Sequence, residues 1–269
     1  SLFTGKDVFS HQIVSQGGAV ELDTGVKTLP EILQQRGIFT AAADNLGRWF
    51  RRGFELYQGY EWTSGPDGGL RKAEAVNLTA FQMLDACVNQ SKPWFLFVHY
   101  WDPHTPYLPP PPFSRMFYHD DETAERHTSA LKMMNDYPAF QWYFREWMPG
   151  CRDVEFPKAQ YDAEIAYCDA CLGRLLHRLD ETGVLGDTLV VITADHGEEL
   201  DEHEMWFDHH GLYETNIHVP LIMVQPGRIK PGLRLPGLTR HQDLAPTILE
   251  LVGLRGAAEE HCMEGQSLV

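Results

Sequence analysis

The sequence predicts an α/β fold with a mostly parallel central sheet flanked by helices on both faces. Three observations predict it. Short, nearly continuous apolar runs recur at Ile38–Ala43, Trp94–Tyr100, Thr188–Thr193 and His218–Val224, as strands buried on both faces require. Segments with helical spacing alternate with them, which is the order of a layered α/β domain. Three of the runs also end in polar groups: Asp44-Asn45, Asp102-Pro103-His104 and Asp195-His196. Open parallel sheets bind ligands at the carboxyl ends of their strands, so three such endings point to one shared cleft.

Taken in order, Val26–Arg36 reads as a helix, with Thr28 as N-cap, Pro30 in the first turn and Gly37 as its stop. Leu70–Asn89 has helical periodicity. Pro109–Pro112 is a stiff extended linker. It opens an aromatic-rich insertion, about residues 113–152, that includes Phe113, Phe117, Tyr118, Phe140, Trp142, Tyr143, Phe144 and Trp147. This block is either a satellite core under a long loop or a lid over substrate. Tyr161–Thr182 is a long helix ending at Gly183, and Asp243–Val252 is another. At 269 residues the whole chain suits one sizeable domain.

A formal net charge of −16, without a basic stripe, disfavours nucleic-acid partners. A negative protein can still take an anionic ester where a cation and local donors prevail at short range. No run reaches the roughly 18 apolar residues of a membrane helix. The opening SLFTGKDVFS lacks the order of a secretory leader, and without an initiator Met it says nothing about compartment. Oligomeric state is not legible. Cys87, Cys151, Cys168, Cys171 and Cys262 have no disulfide-framework spacing, and the Cys168-x-x-Cys171 pair lies on one face of a helix, where packed thiols are expected.

The densest chemistry lies in ADHGEELDEHEMWFDHHGLYE, after the strand ending at Thr193. Asp195 supplies a hard, charged oxygen and His196 an adjacent imidazole, the makings of a metal site, with Gly197 allowing a sharp turn. His104 sits between two prolines in DPHTPY, so its ring is presented with little freedom, fit to bond an anionic ester or protonate a leaving oxygen. Asp102 could orient it or bind the cation. One of His209 and His210 is expected to face the cleft. Glu198–Glu204 reads as a solvated helix face, with His203 paired to Glu199 along it. Asp243 reads as a structural residue at a helix start.

At these residues the chain resembles the sulfatase family of the alkaline-phosphatase-like superfamily. ITADHGEELDEH with HHGLYETNIHVPLIMVQPG resembles its second metal motif. FLFVHYWDPHTPY resembles its substrate-histidine loop, RHQDLAPTILELVGL its late helix, and SLFTG the tail of its signature. The resemblance implies a metal-dependent hydrolase of sulfate esters, acting on a small-molecule or carbohydrate sulfate through a formylglycine hydrate. It implies a divalent cation, Ca2+ first, with Mn2+ or Zn2+ as alternatives. Asp195 and His196 would then be metal ligands and His104 and His210 catalytic, with His209 and Asn45 binding substrate.

The chain departs from the family pattern at both ends. The Cys/Ser-x-Pro-x-Arg nucleophile motif and the early strand with two Asp ligands precede the point where this sequence begins, and relatives continue into a small C-terminal subdomain. An incomplete catalytic domain with little turnover of its own is therefore expected. Many relatives carry Gly-Lys-Trp-His where this chain reads DNLGRWFRRGFE, so no substrate lysine carries over. Two alternatives stand beside this reading: a phosphonate monoester or phosphodiester hydrolase of the same superfamily, which the Asp-His pair suits, and a non-catalytic scaffold.

Overall fold

The computed structural model describes residues 1–15, 19–60, 72–136 and 144–269. It divides into two compact units. One comprises Ser1–Gly59, Thr79–His99 and Lys230–Val269, the other Tyr60–Leu78 and Tyr100–Ile229. Leu70 and Arg71 of the expected helix, and Phe140, Trp142 and Tyr143 of the aromatic block, lie outside the described residues.

The first unit is built on a three-stranded parallel sheet. β1 (Phe39–Ala43) lies between β2 (Leu56–Gln58) and β3 (Trp94–Val98). All five β1 residues are buried, so both faces of the central strand are covered, as its apolar run predicts. The helix Leu29–Gln35 starts with a capping box, in which Thr28 accepts from the Glu31 N–H while Glu31 reaches back to the Thr28 N–H. A cap of this kind is worth about 1 kcal/mol.

Leu29 and Ile32 on that helix are fully buried with Phe3, Ala245, Leu249 and Ala257, and Phe54, Phe95 and Phe97 pack against them. Each fully buried Leu or Ile contributes about 1.5–3 kcal/mol. Phe3, in the opening SLFTG, meets Phe97 edge to face at 4.9 Å. Asp243 is structural, as expected. It is buried, pairs with Arg240, and accepts the Gln266 N–H, which fastens the C-terminal segment to the helix Leu244–Leu251.

The second unit carries β4 (Val190–Thr193) and β5 (Leu221–Val224), which pair antiparallel as a sheet of their own. The parallel pattern therefore belongs to β1–β3, and the last apolar run adds an antiparallel ladder. Apolar content marks a strand as buried but does not set its direction. The long helix runs Glu155–Glu181, starting earlier than its apolar periodicity indicates. Tyr167 and Cys171 on its buried face pack against Ala73, Tyr100 and Phe113.

The aromatic insertion builds a core. Tyr107, Tyr118, Met133, Phe144, Trp147, Trp206 and Phe207 form one buried cluster, with Tyr107 and Trp147 edge to face at 5.4 Å. Of the two readings, its described residues follow the satellite core. Among the described residues no helix is long and apolar enough to cross a membrane. Cys168 and Cys171 are free, and burial pushes the Cys168 thiol up to about 12, so this pair packs rather than reacts.

Candidate active site

β4 ends at Thr193, and the chain turns at Asp195, His196 and Gly197. The turn is held from the other side by a hydrogen bond from Gly197 N–H to the Asn216 carbonyl, at 2.7 Å. A Cβ on Gly197 would lie 2.0 Å from the Thr215 carbonyl oxygen. Close approach of backbone to backbone is therefore what requires glycine here.

The acid run after Gly197 is not a solvated helix. Glu199 is fully buried and bridges antiparallel to Asp208, and its carboxylate accepts from Thr215 Oγ1. Glu198 is also buried. Only Glu202–Glu204 form a helical turn, with His203 left-handed at φ 58°. His203 still meets Glu199 at 3.3 Å and stacks on Tyr213. Alternating polar residues disguised a short buried bridge, because its carboxylates are satisfied by partners distant in sequence.

Three histidines from separate segments converge. One ring nitrogen from each of His104, His196 and His209 lies within 4.8 Å of the others. Their Nδ1 atoms are already engaged: His104 with the Thr105 carbonyl at 2.8 Å, His196 with the Gly197 carbonyl at 2.8 Å, and His209 with Glu198 Oε1 at 3.2 Å. Each Nδ1–H therefore donates, and Nε2 is left for a ligand. His196 and His209 stack at 4.1 Å, and His104 lies 5.1 Å from His209 between ring centroids.

The environments drive these rings apart. Burial pushes His104 below the ordinary histidine pKa, and the neighbouring His209 adds to the effect. The Glu198 carboxylate holds His209 above it. Two neighbouring imidazoles are thus displaced in opposite directions.

Asp195 lies at the rim with its side chain largely exposed, and its Oδ2 stands 3.8 Å from His196 Nε2. Two ligands of one divalent cation, each about 2.0–2.6 Å from it, are separated by a distance of this order, so the pair fits a cation. His210 falls outside the three-imidazole cluster. It is exposed, pairs with Asp208 and stacks on His209 at 5.0 Å, and Asp208, His209 and His210 form a second group able to hold a metal ion. Asp102 is committed elsewhere, its Oδ2 accepting the Ala73 N–H at 2.5 Å.

Asn45 belongs to the first unit, where its Oδ1 would lie 2.3 Å from a Cβ placed on Gly59. Beside it is a network that inspection of the sequence missed. Fully buried Asp44 accepts from Tyr57 Oη and the Leu46 N–H, and bonds His99 Nδ1 at 2.8 Å. The signal was available: Asp44 follows β1 and His99 follows β3, and the parallel register aligns Ala43 with Val98.

The sequence comparisons bear on the same segments. The Sulfatase family profile matches residues 1–254. The chain belongs to the sulfatase family. Choline-sulfatase of Rhizobium meliloti (strain 1021) is 31% identical over 183 residues, 66% of this chain and 35% of the relative. Arylsulfatase K of Xenopus laevis is 39% identical over 104 residues, 39% of this chain and 18% of the relative. The chain thus spans about a third or less of these sulfatases.

Among solved structures, a phosphonate monoester hydrolase from Silicibacter pomeroyi superposes with TM-score 0.70 at 24% identity, covering 100% of this chain and 65% of that one. A 2-O GAG sulfatase gives TM-score 0.66 at 20% identity, covering 99% and 61%. At these identities the likeness establishes the fold, the alkaline-phosphatase-like α/β arrangement. A divalent metal is the family's expectation, and the residues above are those that could hold it.

Proposed function

We propose that this sulfatase-family chain carries the metal-binding and substrate-histidine part of a sulfate-ester hydrolase. The observation that carries the proposal is the convergence of His104, His196 and His209, with His104 held below and His209 above the ordinary histidine pKa. Asp195 and His196 would hold the cation, with Ca2+ the first expectation from the family and Mn2+ or Zn2+ the alternatives. When bound, that cation supplies positive charge against an ester whose own charge slows attack.

His209, whose protonated form Glu198 favours, contacts the sulfate oxygens. Burial favours the neutral form of His104, but an anion beside it favours the charged form. Substrate binding therefore draws a proton onto His104 Nε2, where a leaving oxygen can take it. His210 is available beside His209 for a second contact. No cysteine here stands in a Cys-x-Pro-x-Arg context, so the family's formylglycine-type nucleophile is assigned to none of them.

The substrate class is a small-molecule or carbohydrate sulfate, in line with relatives named for choline sulfate and for iduronate 2-sulfate. A second reading, phosphonate monoester or phosphodiester hydrolysis, is favoured by the Asp195-His196 pair. Parallel assays of the full-length protein on an aryl sulfate and an aryl phosphodiester separate the two. Turnover of neither, with a degraded nucleophile motif in the coding sequence, would leave a non-catalytic scaffold.

A further inference from the structure

The three imidazoles that meet in the second unit share a feature that the proposed chemistry does not use. One ring nitrogen from each of His104, His196 and His209 lies within 4.8 Å of the other two, and all three rings are half-buried. Their Nδ1 atoms are committed. The Thr105 and Gly197 carbonyls take those of His104 and His196, each at 2.8 Å, and Glu198 Oε1 takes that of His209 at 3.2 Å. A carbonyl oxygen only accepts, so neutral His104 and His196 carry the proton on Nδ1 and the lone pair on Nε2. The carboxylate of buried Glu198 imposes the same tautomer on neutral His209.

Such a set suits zinc and serves calcium poorly. Imidazole nitrogen is a good ligand for Zn2+, whereas Ca2+ takes about six to eight oxygens. Zn2+ bonds imidazole at about 2.0–2.1 Å, which puts tetrahedral partners about 3.3 Å apart. From 4.8 Å or less, the nitrogens need close by at most about 1.5 Å, the scale of a ring rotation. Two backbone carbonyls and a carboxylate on the far nitrogens are the contacts that ordinarily orient zinc-bound histidines. Negative charge is also near, because Glu198 stands behind His209 and Asp195 Oδ2 lies 3.8 Å from His196 Nε2. The Asp208–His209–His210 group is less suited, since Asp208 Oδ1 is already engaged by His210 Nδ1 and the His209 N–H.

We propose that His104, His196 and His209 form a three-imidazole site for Zn2+, and that zinc bound there excludes the sulfate ester. The exclusion rests on the roles given above to His104 and His209, whereas the zinc binding does not. A coordinated Nε2 has no lone pair for a proton and no N–H for a sulfate oxygen, so zinc disables both histidines at once. His196 serves either this zinc or the cation beside Asp195, one at a time.

The test titrates ZnCl2 into the full-length protein in calcium-free buffer, followed by calorimetry. One zinc should bind tightly. His104→Gln, His196→Gln and His209→Gln should each weaken it by more than the roughly 10–100-fold that follows loss of an outer partner. His210→Gln, and His177→Gln on the exposed face of the long helix, should leave zinc affinity unchanged. Loss in His210→Gln but not in His104→Gln would place the cation on the Asp208 group and overturn the proposal. So would a parent that binds zinc no better than calcium.

On an aryl sulfate, zinc should raise KM and leave kcat nearly unchanged, as competition requires. A fall in kcat at constant KM, or turnover indifferent to bound zinc, overturns the proposal. Zinc held by these three rings in a protein that turns over no sulfate would uphold the site and reject the sulfatase reading. Should the variants fail to fold, the parent decides. CoCl2 must then give the intense visible bands of four-coordinate cobalt, and ZnCl2 must move the NMR signals of Nε2 in His104, His196 and His209. Weak six-coordinate bands, or shifts confined to His209 and His210, overturn the proposal.

Discussion

The imidazole of His209 stacks on that of His196, ring centroids 4.1 Å apart and planes 22° from parallel. His209 is tied by Nδ1 to buried Glu198, and His196 stands 3.8 Å from Asp195. The stack thus joins the groups assigned to the cation and to the ester. Each can be disturbed separately.

Replacing Asp195 by alanine in the full-length protein removes the only carboxylate facing His196 Nε2 among the contacts described. Metal content and activity should fall together, activity by at least the 10–100-fold that loss of an outer-shell group already costs. Metal analysis beside kcat measures this. Full metal occupancy in Asp195→Ala would place the cation elsewhere.

Glu198→Gln removes the main cause of the raised pKa of His209. The His209 imidazole, followed by NMR titration, should then titrate lower. The sign for stability follows from linkage. Because the folded pKa lies above the unfolded value, the pair's contribution is fully present below about pH 6.5 and is lost as pH rises through the folded pKa. The stability gap between parent and Glu198→Gln should therefore shrink from pH 6 to pH 9. A constant gap would mean that the contact is not an ion pair.

His104 shows the opposite displacement, since burial lowers it. Its neutral form stabilises the fold above about pH 6.5, and that contribution fades as pH falls below this value toward the folded pKa. Inorganic sulfate should raise its NMR-detected pKa. His104→Ala should cost about 10²–10⁴-fold on esters with poor leaving groups, and clearly less on a nitrophenyl ester whose oxygen needs no proton. Equal losses on both would remove His104 from the proton transfer.

Gly197→Ala places a methyl group against the Thr215 carbonyl. We expect destabilisation of about 1–3 kcal/mol, the usual cost of overpacking, with the turn at His196 displaced. Urea unfolding of Gly197→Ala beside Gly186→Ala, where a Cβ meets nothing within 4 Å, provides the comparison. Equal midpoints would show that the backbone yields freely.

Much of the fold was legible from local pattern. Thr28 caps its helix, Phe39–Ala43 is a strand within one residue of its apolar run, and Asp243 anchors a helix start. These depend on neighbours a few residues away, so spacing and residue type suffice. The direction of β5 and the state of Glu198 and Glu199 were not legible in this way. A ladder's polarity and a carboxylate's burial depend on partners such as Ile192 and Thr215, which the chain brings near only on folding.

Among the site residues the division is similar. Asp195, His196 and His104 could be singled out from the strand ends and proline-bounded loop that present them, and membership of the sulfatase family was readable from those same segments. Tertiary structure chose His209 over His210 for the cluster, by pairing one ring with buried Glu198 and leaving the other exposed beside half-buried Asp208. It also paired Asp44 with His99 across parallel strands. Residue type states what a side chain can do. Its pKa and its aim come from desolvation and charge over a few ångströms, and those distances exist only in the folded chain.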